Sequence, residues 1–572
     1  MNGCARYSKR LRNLVMTHLT ILLTCGLPFS LLAQLYNDNV LRVDTCEILQ
    51  GSLRAERTCF DVYYYRLNIE VDIAGHALFG NNLICFDVLQ STHQIQIDLH
   101  EDLSIDSILW HGHSLPYTRK CKAVFIRFPE SLSAGSTDSL KVSYRGQPVE
   151  APMAPWYGGF VWSADEQSRP WVGVACQGMG ASTWWPCKDH LTDEPDSMDI
   201  LVTVPDSLYA VANGIERGRK ILSNHRAQFN WHISYPINTY NVTLNIADYE
   251  HWNDHYISSD GDSLLLDYYV LKNHREKSEK QFAQVKPMLS CYEKYLGKYP
   301  FYKDGYALVE TPYLGMEHQG AIAYGNKYLK GYLGTDRSGC NLDFDYIVIH
   351  ETGHEWWGNS VSAGDLADMW IHESFCTYTE AIYVEHFYGY DTAMIYVNAL
   401  KKSVANTSPI IGTYGINREG HSDMYVKGML FLNTLRHVVN DDERWWQTVK
   451  YVSDTLFRIR VTSYQEVVSA FNRFAGIDVM PIFEQYVKRP SIPVLEYEIV
   501  KRKRNVFLRY RYTAVSNGFN MPLDIQVGKG SVRIFPQTHW QEMLLNGDLH
   551  WNENFFYVKF QKAKVSSHNK RK

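Results

Sequence analysis

The sequence predicts a multidomain α+β protein: a β-sandwich-like N-terminal domain, a mainly helical middle domain and a small β-domain at the C-terminal end. Three observations predict it. At 572 residues the chain exceeds what a single hydrophobic core supports. From about residue 59 to 250, apolar and polar residues alternate between turn signals, the period of half-buried strands. From about 270 to 490 the spacing becomes helical, and beyond Pro490 and Pro493 it returns to alternation.

Taken in order, the chain opens with Arg6, Lys9, Arg10 and Arg12 ahead of an apolar run from Leu14 to Leu32 without an acidic residue, then Ala33 and Gln34. That is the pattern of a secretory signal peptide cleaved near Ala33, the alternative being an uncleaved anchor. The expected location is therefore exported: periplasmic, surface-bound or secreted. Loss of the peptide would take the formal net charge from −5 to about −9. No other segment is long and apolar enough to span a membrane, and no basic stripe suggests a nucleic-acid partner. Nine of the 11 cysteines lie beyond Ala33. An oxidising compartment permits disulfides, and Cys46 with Cys59 is a plausible local pair, although spacing alone does not fix connectivity.

The strand-like segments include residues 60–73, 82–89, 139–146 and 198–205. Residues 274–297 carry helical spacing and end at Gly297 with Pro300 just beyond. Helical text continues through 344–361, 367–389, 424–439 and 463–476. These breaks divide the chain into the signal peptide 1–33, an N-terminal β-domain 34–253, a catalytic domain 254–490 and a C-terminal β-domain 491–572.

The chemistry is concentrated in the middle. His350-Glu351-Thr352-Gly353-His354 matches H-E-x-x-H. On a helix, positions i and i+4 share a face, so both imidazoles can reach one ion, and Glu351 borders that face as a general base for an attacking water. Tyr346 to Ile349 before the motif and Trp356-Trp357 after it make the helix a buried one, and buried histidines need partners. A shorter arrangement with a third histidine fails, because Trp357 and Ser360 hold the positions it requires. Glu373 is the candidate third ligand: separated from His354 by eighteen residues, among Trp370, Ile371 and Phe375, its carboxylate is expensive to bury unless paired or metal-bound. The set predicts one zinc ion per chain. Glu380, two turns further on, is placed to orient a ligand imidazole.

Beyond this motif the sequence resembles the gluzincin aminopeptidases, the family typified by aminopeptidase N and leukotriene hydrolase. Leu314-Gly315-Met316-Glu317-His318 stands where the family carries G-x-M-E-N, with Leu314 and His318 as departures. The resemblance implies that Glu317 anchors the substrate's free α-amine and that Gly315 and Met316 contact its backbone. Tyr425-Val426-Lys427-Gly428 fits the family's Y-x-K-G, implying Tyr425 as the transition-state hydrogen-bond donor. Gln177, nine residues before Pro186-Cys187, matches a Gln or Glu that also contacts the amine, although Ser182 replaces an arginine usual between them. The likeness covers roughly residues 59 to 490 and implies a thermolysin-like catalytic domain. It further implies an aminopeptidase acting on peptides with a free N-terminus, whose first side-chain pocket falls around Gln177, Met179 and Leu314. Two alternatives stand beside it. One is a catalytically idle exported peptide-binding relative. The other is an epoxide hydrolase of the leukotriene branch, whose substrate site needs a helical C-terminal domain that residues 491–572 do not resemble.

Overall fold

The computed structural model describes residues 43–563; the signal-peptide reading lies outside them. The architecture is the expected one, a β-rich N-terminal part, a helical catalytic part and terminal β-sheets. The N-terminal part holds an eight-stranded sheet with smaller sheets of four and three strands. Its long strand Phe60–Asp72 buries alternate side chains, including Tyr65, Leu67, Ile69 and Val71, and pairs antiparallel with Ala77–Val88 and parallel with Ser197–Pro205. Alternation thus becomes one face packed inward, as period-2 patterning requires.

A short helix, α1 (Thr45–Gly51), precedes these strands, with Asp44 and Glu47 forming a capping box. Cys46 of α1 is disulfide-bonded to Cys121, not to Cys59, which is a buried free thiol. The local pairing fails because Cys59 sits at the head of the long strand, its Sγ turned to the Gln94 carbonyl, whereas α1 lies across the 121–122 turn.

Two strands that sequence periodicity did not separate, Tyr249–Ile257 and Ser263–Leu271, form an antiparallel pair. They extend a five-stranded sheet whose far edge is the two-residue strand Gly315–Met316. Three helices then build the site: α2 (Tyr346–Gly353), α3 (Met369–Tyr388) and α4 (Val426–Val439). Asp345 caps α2 by accepting from Ile347 N and Val348 N at 3.0 and 3.3 Å. α2 is shorter than its sequence pattern suggested. It ends at Gly353, and the chain turns through Gly358, whose φ of 124° lies in the left-handed half of the map, into strand Val361–Ala363. α3 is buried along its length through Val384, so it crosses the interior. α4 packs on α3 at Gly428, where a Cβ would lie 2.0 Å from Ser374 Oγ. The glycine of the 425–428 motif is therefore a packing requirement. After residue 490, strands form a four-stranded and a three-stranded sheet. Among the described residues no helix is long and apolar enough to cross a membrane.

Candidate metal and catalytic site

α2 presents His350 and His354 on one face, and α3 brings Glu373 across them. The two Nε2 atoms stand 3.3 Å apart, and Glu373 Oε2 lies 3.8 and 3.5 Å from them. All three side chains are buried. Their outward nitrogens are committed elsewhere: His350 Nδ1 is 2.6 Å from Glu380 Oε1, and His354 Nδ1 is 2.8 Å from the Trp357 carbonyl. With both N–H groups donating outward, two Nε2 lone pairs face each other beside a carboxylate oxygen, Glu373 Oε2, that has no hydrogen-bond partner. Such a trio repels itself unless a cation lies among it. Two imidazole nitrogens and one carboxylate oxygen suit zinc. The outer partners fix the tautomers, and Glu380 is itself held by the Tyr396 hydroxyl. Cys376, one turn beyond Glu373, has its thiol within 4.8 Å of both imidazoles. Its Sγ donates to the His350 carbonyl at 2.9 Å.

Glu351 projects beside this trio. Burial pushes its carboxyl up to about 7, with His350 and His354 opposing that rise. One ligand atom each from Glu317, Glu351 and His354 falls within a 4.8 Å cluster. Gly315 explains how they fit: a Cβ there would lie 2.8 Å from Glu351 Oε1 and 2.7 Å from Ile347. Glu317 is buried, which raises its carboxyl pKa, although His354 lowers it. Its Oε1 accepts from the Tyr240 hydroxyl at 3.3 Å. Tyr240 is held in turn by His372: Ala363 N donates to His372 Nε2 at 2.7 Å, leaving Nδ1–H to face the Tyr240 oxygen at 3.4 Å. Met316 is buried alongside, and His318 is fully buried with neither ring nitrogen hydrogen-bonded.

Tyr425 caps α4 with its ring 6.3 Å from the His350 ring, centre to centre. Burial, then the carboxylates of Glu373, Glu419 and Glu317, hold its phenol well above the usual range, so it stays a hydrogen-bond donor at neutral pH. Lys427 plays a structural part, donating to the carbonyls of Arg489 and Pro490. Gln177 reaches the site from the N-terminal domain, its amide donating to Glu373 Oε1 at 3.1 Å. The sequence-derived ligands, base, hydrogen-bond donor and substrate contacts thus lie in or beside one cluster, with Glu380 behind His350. Tyr240, His372 and Glu419 were missed. None belongs to a recognisable spacing, and the carboxyl of Glu419, which burial and the neighbouring Glu373 and Glu317 push up to about 7, has no hydrogen bond or ion pair among the described residues.

The chain matches the family description "Peptidase M1 N-terminal domain" over residues 62–241 and "Peptidase family M1 domain" over 281–486. Among curated relatives, it is 22% identical to leucyl aminopeptidase of Saccharolobus solfataricus, over 68% of this chain and 50% of that protein. It is 24% identical to endoplasmic reticulum aminopeptidase 1 of Homo sapiens, over 74% and 49%. The chain therefore spans about half the length of these relatives. A solved M1 zinc metallopeptidase from Deinococcus radiodurans, a mutant bound to a Tyr-Ser-Ala substrate, shares the fold with a TM-score of 0.65 at 19% identity, covering 78% of this chain and 98% of that one.

Proposed function

We propose, from the premise that this chain belongs to peptidase family M1, that it is a zinc aminopeptidase removing residues from the free N-terminus of peptides. The observation that carries the reading is the cluster itself: two imidazole nitrogens and an unpartnered carboxylate oxygen converge, with one carboxylate beside them as base and another beyond it as anchor. Names of relatives add support, since those matched are aminopeptidases.

His350, His354 and Glu373 would hold the metal. Bound there, zinc supplies Lewis-acid polarisation of a carbonyl and makes water a nucleophile near neutral pH. The chain's own groups do the rest. Glu351, with its carboxyl lifted toward neutrality, takes the proton of the attacking water and returns it to the leaving amine. Tyr425 donates a hydrogen bond to the oxygen on which negative charge develops. Glu317, steadied by Tyr240, holds the substrate's α-ammonium and fixes where the chain begins. The edge strand Gly315–Met316 offers backbone groups to an extended peptide. We further propose that the protein works in an exported, oxidising compartment; the Cys46–Cys121 disulfide supports this.

The test is hydrolysis of aminoacyl-coumarin substrates by zinc-replete protein, with chelation abolishing and zinc restoring turnover. Free-amine peptides should be cleaved at least about a hundredfold faster than their N-acetylated forms. Equal cleavage of the two would sink the aminopeptidase reading, and zinc content without turnover would favour an idle binding relative.

A further inference from the structure

Residues 325–345, which join strand Ile322–Tyr324 to α2, build a wall beside the metal ligands that none of the chemistry above uses. Tyr346, the first residue of α2, stacks on His350 with ring centres 5.3 Å apart and planes 13° from parallel. Tyr332 packs edge-on against Tyr346 at 5.4 Å. Arg337 lies over both tyrosines, its Cζ 3.6 Å from the centre of the Tyr332 ring and 5.5 Å from that of Tyr346. A guanidinium stacked in this way engages the ring with its flat face and leaves most of its in-plane N–H groups free for a planar anion.

The loop holds Arg337 in place without neutralising it. Tyr332 N and Thr335 N donate to each other's carbonyls at 3.0 Å, and Gly331 N donates to the Phe344 carbonyl at 2.7 Å. All three acids of the loop are committed elsewhere. Asp336 accepts from Ser338 N at 2.8 Å, from Ser338 Oγ at 2.6 Å and from Asn341 N. Asp343 pairs with Lys330, and Asp345 caps α2. Arg337 itself is exposed and has no carboxylate at ion-pair distance among the described residues.

Burial raises the Tyr332 phenol while Arg337 opposes that rise, and of the catalytic groups it is Glu351 and His350 that act on it. Burial raises Tyr240 too, but there Glu317, Glu373 and Glu419 reinforce it. The two tyrosines thus mark different flanks of the cluster, Tyr240 the one that anchors the amine. We propose that Arg337 binds the C-terminal carboxylate of short peptides, so that the enzyme favours substrates of two or three residues. The inference rests on the aminopeptidase reading: with the first residue held at Glu317, the rest of the substrate leaves past Tyr346 and Tyr332. The reach agrees. The guanidinium is two ring contacts, 5.5 and 5.3 Å, from the His350 ring, and so within about 11 Å of it. An extended peptide advances about 3.5 Å per residue, and a charged N–H···O contact adds about 3 Å. A carboxylate one or two residues past the first falls within that reach, and one four residues past overshoots it.

The test compares Leu-Gly, Leu-Gly-Gly and Leu-Gly-Gly-Gly-Gly, each as free acid and as C-terminal amide, with wild type, Arg337→Ala and Arg337→Lys, all checked for zinc content and thermal midpoint. In wild type the free di- or tripeptide should have a KM about fivefold to tenfold below that of its amide, with kcat unchanged, while the two pentapeptide forms behave alike. Arg337→Ala should bring the acid-to-amide ratio close to one by raising the KM of the free acid. Arg337→Lys, which keeps the charge but loses the planar fork, should retain part of the preference. Amides cleaved as well as free acids by wild type would overturn the carboxylate assignment and leave the aminopeptidase reading standing. An equal preference in the pentapeptide would overturn the length selection, and an equal KM rise for acid and amide in Arg337→Ala would reduce the residue to a structural part. No turnover of any free-amine peptide or aminoacyl-coumarin by zinc-replete protein would remove the peptidase reading and this inference with it.

Discussion

Replacing Glu380 by glutamine should weaken zinc binding by about tenfold to a hundredfold while leaving the fold intact. His350 Nδ1 and Glu380 Oε1 are 2.6 Å apart, and both side chains are buried, at 7% and 3% exposure. A buried hydrogen bond to a charged acceptor contributes about 1.5–3 kcal/mol, which corresponds to about one to two decades in a dissociation constant. Glutamine keeps an oxygen that can accept from Nδ1–H, so the ring orientation survives. What is lost is the negative charge that makes Nε2 a stronger donor to the metal, and an amide NH2 is left facing the Tyr396 hydroxyl. Competition with a graded series of chelators would measure the affinity, and thermal unfolding of the zinc-free protein would report the fold separately. An unchanged zinc affinity, with the variant folded, would refute the argument that this outer carboxylate tunes the ligand.

Two further outcomes follow from packing and burial. Gly428→Ala should lower kcat by at least about tenfold, because its Cβ would lie 2.0 Å from Ser374 Oγ and must push α4, and Tyr425 at its cap, away from α3; steady-state kinetics with a zinc assay would show turnover falling while metal stays bound. Burial raises the Glu194 carboxyl to about 7, against about 4.3 in the unfolded chain. The folded state therefore holds an extra proton, and the stability this supplies is full below about pH 4 and lost as pH climbs through 7, on the order of 3 kcal/mol in all. Glu194→Gln should flatten that part of the profile, and thermal midpoints of both proteins from pH 5 to 8 would check it. Parallel profiles would refute the assignment.

What the sequence alone determined was whatever depends on a local repeat. His350 and His354 share a helix face because 3.6 residues make a turn, so their pairing was legible from five residues, and Glu351 came with it. Glu373 was legible because a lone acid among apolar residues on a buried helix needs a reason. Glu380 follows from Glu373 by the same helical arithmetic. The strand alternation of residues 60–72 likewise reported its own buried face. Family resemblance supplied Glu317, Tyr425 and Gln177, but not what they touch.

Tertiary structure decided the rest, because contacts between residues far apart in sequence leave no period to read. Gln177 meets Glu373 across 196 residues, and Tyr240 meets Glu317 across 77. Cys46 pairs with Cys121 rather than with its near neighbour Cys59, since chain proximity does not bring two sulfurs together once α1 and the long strand have taken their places. Gly428 reads as part of a motif until the Ser374 side chain across from it shows why no Cβ is tolerated. Most of all, α1 lies outside any motif, yet Glu47 reaches across 371 residues to Arg418. A charge pair of that kind depends on how the loop and the helix pack, and only the folded chain brings the two together.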